Sequence, residues 1–210
     1  MLEQPVAERD AMPDGPRAAS AFRVPPWWNV PNQITTARLI LAIVVFGCMD
    51  LRWYTAALIV FLLAASTDWV DGYWARRYGQ VTKLGRILDP FVDKFIICGV
   101  FIYLAAVPDS GVPPWVAVLV TARELLVTAL RGMVEGQGGD FSAKWSGKWK
   151  MVFQCAAAAL SLLILASRGT TAPTWTFRLL IVALGLAVSL TIHSGFVYVL
   201  AAARSLRAAP

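Results

Sequence analysis

A single histidine, His193, occurs among 210 residues, which excludes a catalytic triad centred on imidazole and a metal cluster built from histidines. Cysteine is nearly as scarce. Cys48, Cys98 and Cys155 stand singly inside apolar runs, a pattern that supports neither a disulfide framework nor a thiolate metal site and fits small packing residues. Charge is thin too: 15% of the chain is Asp, Glu, Lys or Arg, where soluble domains carry about a quarter. Apolar residues take up the difference, at 58% of the chain with a mean hydropathy of +0.60. Both departures point to a bilayer. The net charge of +6 is therefore read by position, and the expected partners are membrane lipids and not nucleic acid.

The predicted fold is all-α: a polytopic membrane protein of about six transmembrane helices, each of roughly 20 residues. The apolar segments fall at 35–54, 55–76, 89–107, 113–133, 148–167 and 174–203. Residues 1–25, with Glu3, Glu8, Asp10, Asp14 and several prolines, read as a short mobile tail and not as a secretory signal. The membrane domain is then 26–210, opening on Pro25-Pro26-Trp27-Trp28, an interfacial segment with tryptophans at headgroup depth. Pro108 and Pro113-Pro114 bracket a tight turn.

Basic residues orient the spans. Arg9, Arg17, Arg23, Arg76, Arg77, Lys83, Arg86, Lys144, Lys148, Lys150, Arg204 and Arg207 fall on one side, and Arg52, Arg168 and Arg178 on the other. The positive-inside rule puts the richer side, with both termini, in the cytoplasm.

Acidic residues occupy costly places. The second span ends Ser66-Thr-Asp-Trp-Val-Asp-Gly-Tyr-Trp-Ala-Arg76 and the third opens Gly85-Arg-Ile-Leu-Asp-Pro-Phe-Val-Asp-Lys94. An Asp deep in a bilayer costs about 2.5–3.5 kcal/mol. Asp68 and Asp71 are spaced i, i+3, and Asp89 and Asp93 i, i+4, so each pair shares a helix face. The short connection predicts that the two helices are antiparallel neighbours, bringing four carboxylates together at the cytoplasmic surface. Oxygen donors without His or Cys favour Mg²⁺ or Mn²⁺, and four of them fit two ions. Gly72 and Ala75 would let a phosphate-bearing group approach closely, and Arg76 could meet a phosphate oxygen. The competing reading, carboxylates merely salt-bridged to Arg76, Arg77, Lys83, Arg86 and Lys94, does not account for so ordered a spacing.

Asp68-x-x-Asp71-Gly72-x-x-Ala75-Arg76, followed after eight residues by Gly85-x-x-x-Asp89-x-x-x-Asp93, resembles the full signature of the CDP-alcohol phosphotransferase family. The resemblance runs from about Asn29 to the last span. It implies a six-span, metal-dependent membrane enzyme, commonly a homodimer, with its site open to the cytoplasm, here of a bacterial inner membrane. It further implies that Asp68, Asp71 and Asp89 hold a metal on the pyrophosphate of the CDP-lipid, that Asp89 and Asp93 hold a second, and that Asp93 is the base for the acceptor hydroxyl. Gly72, Ala75, Arg76 and Gly85 match its nucleotide-site positions. Thr82 matches a Ser/Thr that helps hold CDP, and Pro31-Asn32-Gln33-Ile34-Thr35 resembles the segment that closes over cytidine.

Arg123 and Arg131 lie eight residues apart on the fourth span, and Ser146-Gly147-Lys148-Trp149-Lys150 opens the fifth. Arg123, Arg131, Lys148 and Lys150 could form a basic pocket for a phosphorylated acceptor, with Glu124 paired to one of them; Lys148 and Lys150 also suit plain positive-inside anchoring. The run from Ala122 to Arg131, together with Gly147-Lys-Trp-Lys150, Gln154 and Asn29-Val-Pro-Asn-Gln-Ile-Thr-Thr-Ala-Arg38, is similar to the phosphatidylglycerophosphate synthases. That likeness implies CDP-diacylglycerol and glycerol 3-phosphate as substrates. Met151 departs from it, standing where a threonine is expected. Phosphatidylinositol-phosphate synthesis is the nearest rival. A cation transporter would want acids at the midplane of broken helices, often in repeated halves, and no repeat is visible. Nothing in the sequence assigns a role to residues 1–20, Trp69 or Trp74.

Overall fold

The computed structural model describes residues 30–78, 83–136, 145–168 and 173–208, and side chains within them except at 30–32, 34, 68–78, 83–87, 89, 135–136, 145–148 and 205–208. The tail 1–25, Trp27, Trp28 and Thr82 lie outside these residues. Six helices account for almost all of the described chain, with no strand among the described residues: α1 (Val30–Asp50), α2 (Tyr54–Tyr78), α3 (Lys83–Ala106), α4 (Pro114–Gly136), α5 (Trp145–Ala166) and α6 (Thr174–Ala208). All-helical architecture is as the sequence predicts.

Helix ends differ from the apolar segments for local reasons. The first boundary falls at Leu51–Trp53 and not at 54/55. There the Trp53 N–H donates to the Cys48 carbonyl at 2.8 Å, the Arg52 N–H to the Met49 carbonyl at 3.0 Å, and Arg52 takes φ 60°. This is a left-handed helix stop in which arginine stands at the position glycine usually fills, at a strain of about 1 kcal/mol. α1 starts at Val30, five residues before the expected boundary, because proline in the first turn loses no hydrogen bond that the helix needs. α3 starts at Lys83 rather than Asp89, so Pro90 lies inside it and offers no N–H to the Arg86 carbonyl. The proline-bracketed turn holds: Asp109 and Gly111 take φ 61° and 73°, and a Cβ on Gly111 would lie 2.6 Å from Leu180.

Three connections meet at one end of the bundle. Arg168, after α5, donates to the Pro108 carbonyl, lies 3.6 Å from the Asp109 carboxylate and stacks 5.7 Å over the Tyr54 ring. The helices are therefore antiparallel in sequence order. Phe101, Leu104, Leu162, Leu165 and Leu180 fill the centre. Small residues let the backbones close up: Phe46 of α1 stacks on Tyr103 at 5.4 Å directly over Gly99 of α3, where a Cβ would lie 2.2 Å from the ring.

Over the described residues α1 packs against both α2 and α3, and α5 does likewise; the ends of α2 and α3 that carry Asp68, Asp71 and Asp89, where the two helices are expected to be neighbours, have side chains outside the described ones.

Large apolar residues also face outward, among them Ile43, Ile59, Val118, Leu125, Ile181 and Phe196. Such an exterior is costly against water and suited to hydrocarbon. Among the described residues two stretches, Trp149–Ala166 and Thr174–Arg204, are long and apolar enough to cross a membrane. Only 33% of the second is buried, so it is not the covered core helix of a soluble protein.

Candidate functional site

α2 runs unbroken through Asp68 and Asp71, and α3 through Asp89 and Asp93, so both pairs have the helical spacing the sequence implied. The side chains of Asp68, Asp71 and Asp89, and of Gly72, Ala75, Arg76 and Gly85, lie outside the described ones, as do those of Pro31, Asn32, Ile34 and Lys148. Pro31–Thr35 is helical, forming the opening of α1. Gln33 is exposed and Thr35 is buried among the helices; neither lines the cavity described next.

Asp93 is the described member of the acidic set, and it lines a cavity of about 270 Å³ between α3, α4, α5 and α6. Arg123 and Arg131 of α4 and Lys150 of α5 line the same cavity. The structure thus brings together three of the four basic residues singled out in the sequence and sets them beside Asp93. Lys94 joins them. Against these four cations stand two carboxylates, Asp93 and Glu124, so the described lining favours an anion.

Sequence reasoning underestimated two partners. Arg38, on α1, donates from Nη1 to Asp93 Oδ1 at 2.5 Å, with its side chain 4% exposed and that of Asp93 28%. The only local signal for it was a lone cation inside an apolar run, which always calls for a partner. Glu124 was expected to pair with one base and pairs with two. Its Oε1 accepts from Lys150, and both its oxygens accept from Arg123 Nη1, at 3.2 and 3.3 Å. Arg123 is further committed to α6: Nε donates to Ser194 Oγ at 3.2 Å, and the guanidinium lies 5.6 Å over the Tyr198 ring. Gln154 donates to Thr191 Oγ1 at 3.2 Å, extending the network from α5 to α6. Arg123 is consequently as much a tie between helices as a wall of the cavity, while Arg131 is the less buried arginine.

Among the described residues no three carboxylates, histidines or cysteines come together as metal ligands; Asp93 is the one described member of the expected set, and its oxygen donor is of the kind that suits a hard ion.

A helical bundle with an apolar exterior is consistent with a membrane protein, and its cavity joins a part-exposed aspartate to a lining whose excess of cations favours an anion. The sequence matches the CDP-alcohol phosphatidyltransferase family over residues 28–201. It is 34% identical to the CDP-diacylglycerol–glycerol-3-phosphate 3-phosphatidyltransferase of Bacillus subtilis, over 81% of this chain and 93% of that one. It is 36% identical to the Escherichia coli protein of the same name, over 63% of this chain and 75% of that one. A probable phosphatidylglycerophosphate synthase of Mycobacterium tuberculosis is 34% identical, over 94% of this chain and 90% of its own. The chain belongs to the CDP-alcohol phosphatidyltransferase family.

Proposed function

We propose that this protein transfers the phosphatidyl group of CDP-diacylglycerol to sn-glycerol 3-phosphate, giving phosphatidylglycerophosphate and CMP. One observation carries the reading: in a chain whose relatives are named for this reaction, Asp93 shares its cavity with Arg123, Arg131 and Lys150. An acceptor whose phosphate rests among these cations would hold its hydroxyl within reach of a carboxylate. The apolar exterior supports the further reading that all six helices span the membrane, with Asp93 and both termini on the cytoplasmic side of a bacterial inner membrane. A homodimer completes the proposal.

In the reaction, Asp93 accepts the proton of the acceptor hydroxyl. The hydroxyl oxygen then bonds to the phosphatidyl phosphorus, and the bond from that phosphorus to the bridging oxygen breaks, so CMP departs with the electron pair. Mg²⁺ or Mn²⁺ held by Asp68, Asp71, Asp89 and Asp93 would supply neutralisation of the pyrophosphate charge when bound. Gly72, Ala75, Arg76, Thr82 and Gly85, with Pro31–Thr35, are assigned to the CDP-lipid. Arg38 holds the Asp93 carboxylate in place across the helix interface. Positioning and charge stabilisation carry most of such a transfer. A cation transporter is disfavoured because the described cavity is lined by four cations.

The test is CMP release from CDP-diacylglycerol by purified protein with Mg²⁺, offering glycerol 3-phosphate and inositol phosphate separately. Release with glycerol 3-phosphate alone is expected, abolished by EDTA and restored by Mg²⁺. Release with inositol phosphate alone would overturn the acceptor, and full activity in EDTA the metal. Arg131→Gln is expected to raise the KM for glycerol 3-phosphate about tenfold, the worth of one charge-assisted hydrogen bond, with little change for CDP-diacylglycerol. Equal effects on both substrates would place Arg131 outside the acceptor pocket.

A further inference from the structure

A second cavity, of about 520 Å³, lies at the opposite end of the bundle and is lined by Arg52, Trp53, Tyr54, Leu165, Ala166 and Arg168 among others. About 20 Å of helical rise separates Asp93 from the end of α3, where Arg168 is anchored. The reaction makes no use of this end. It nevertheless carries two arginines in a chain with little charge to spare.

The two are in different states. Arg168 is tied to the Pro108 carbonyl and to the Tyr54 ring, which fixes the wall of the cavity. Arg52 is exposed, with no hydrogen bond or ion pair to its side chain among the described residues. Asp50, two residues earlier and also exposed, makes no ion pair with it. Its backbone is held at φ 60° by the helix stop between α1 and α2. Glycine would take that conformation without strain, so the helix stop alone does not call for an arginine. A long cation held at a cavity mouth in a disfavoured backbone conformation is a mark of function to be tested.

We propose that this cavity binds the phosphate of an anionic phospholipid, with Arg52 as its principal charge partner and Arg168 beside it. The lining is what separates a lipid from a free anion. Trp53, which is exposed, and Ala166 offer apolar surface beside the arginines, and Trp and Tyr favour the depth of the headgroups. A phosphodiester with acyl chains satisfies both halves of the site, whereas inorganic phosphate satisfies one. The inference rests on the membrane-spanning reading, which puts this end in the headgroup layer of the far leaflet.

The experiment is native mass spectrometry of the full chain in detergent, titrated with phosphatidylglycerol, phosphatidylcholine or inorganic phosphate. One phosphatidylglycerol is expected to bind at least about tenfold more tightly than phosphatidylcholine, as expected of a charge-assisted contact. Arg52→Gln should remove that preference. Arg178→Gln, an exposed cation outside this lining, should keep it. An Arg52→Gln protein with the preference intact would overturn the site, as would inorganic phosphate displacing the lipid at equal concentration. Release of the chain from vesicles by alkaline carbonate without detergent would instead overturn the membrane reading beneath it.

Discussion

CMP release by an Asp93→Asn protein is expected to fall by at least about 10³-fold. Loss of a general base alone costs about 10²–10⁴-fold, and the same carboxylate is a proposed ligand of the metal. Asparagine keeps the shape of the side chain and removes its charge and its proton affinity. The change has a structural side as well, because Arg38 is 4% exposed and loses an ionic partner. A dry, broken ion pair costs about 3–5 kcal/mol. Asp93 is 28% exposed, so solvent should hold this loss to about 1–2 kcal/mol. The two effects are separable: thermal unfolding in detergent reads the second, and initial rates on protein shown to be folded read the first. A rate within tenfold of wild type, in folded protein, would remove Asp93 from the role of base.

The spacing of the aspartates was legible because helices are local. Once α2 and α3 are helical, i, i+3 and i, i+4 place each pair without reference to the rest of the chain. The cluster of Arg123, Arg131 and Lys150 was legible for a related reason: cations inside apolar runs are costly and have to converge on something. Pairing across helices was less so. The Arg38–Asp93 contact joins positions 55 apart, and no periodicity carries that information. Helix ends were misjudged where backbone chemistry, and not hydropathy, decides them. The stop at Arg52 depends on one residue entering left-handed space, and the early start of α1 depends on where Pro31 falls.

Glu124→Gln is expected to be the most destabilising conservative change among the cavity residues. Glu124 is 5% exposed, and the cations that donate to it, Lys150 and Arg123, are 5% and 8% exposed. Glutamine fills the same volume, but it leaves two adjacent buried cations with no described carboxylate between them, and it points an amide donor at one of them. Breaking a buried pair by removing one partner costs about 3–5 kcal/mol. For a chain of this size that corresponds to a drop in Tm on the order of 10 °C. Removing a cation as well should restore part of the loss, because the penalty is the uncompensated charge rather than a missing contact. Glu124→Gln with Lys150→Gln is therefore expected to melt above Glu124→Gln alone, a double-mutant result that simple damage to packing would not produce. If the double variant melts lower than either single one, Glu124 is not the counter-charge that joins α4 to α5. The sign of the functional change differs. Arg123 and Lys150, released from Glu124, are freer to meet the acceptor phosphate, so the folded Glu124→Gln protein is expected to show a KM for glycerol 3-phosphate no higher than wild type. Stability and acceptor affinity should move apart at this residue, because one carboxylate holds together the helices whose cations are the proposed partners of the acceptor phosphate.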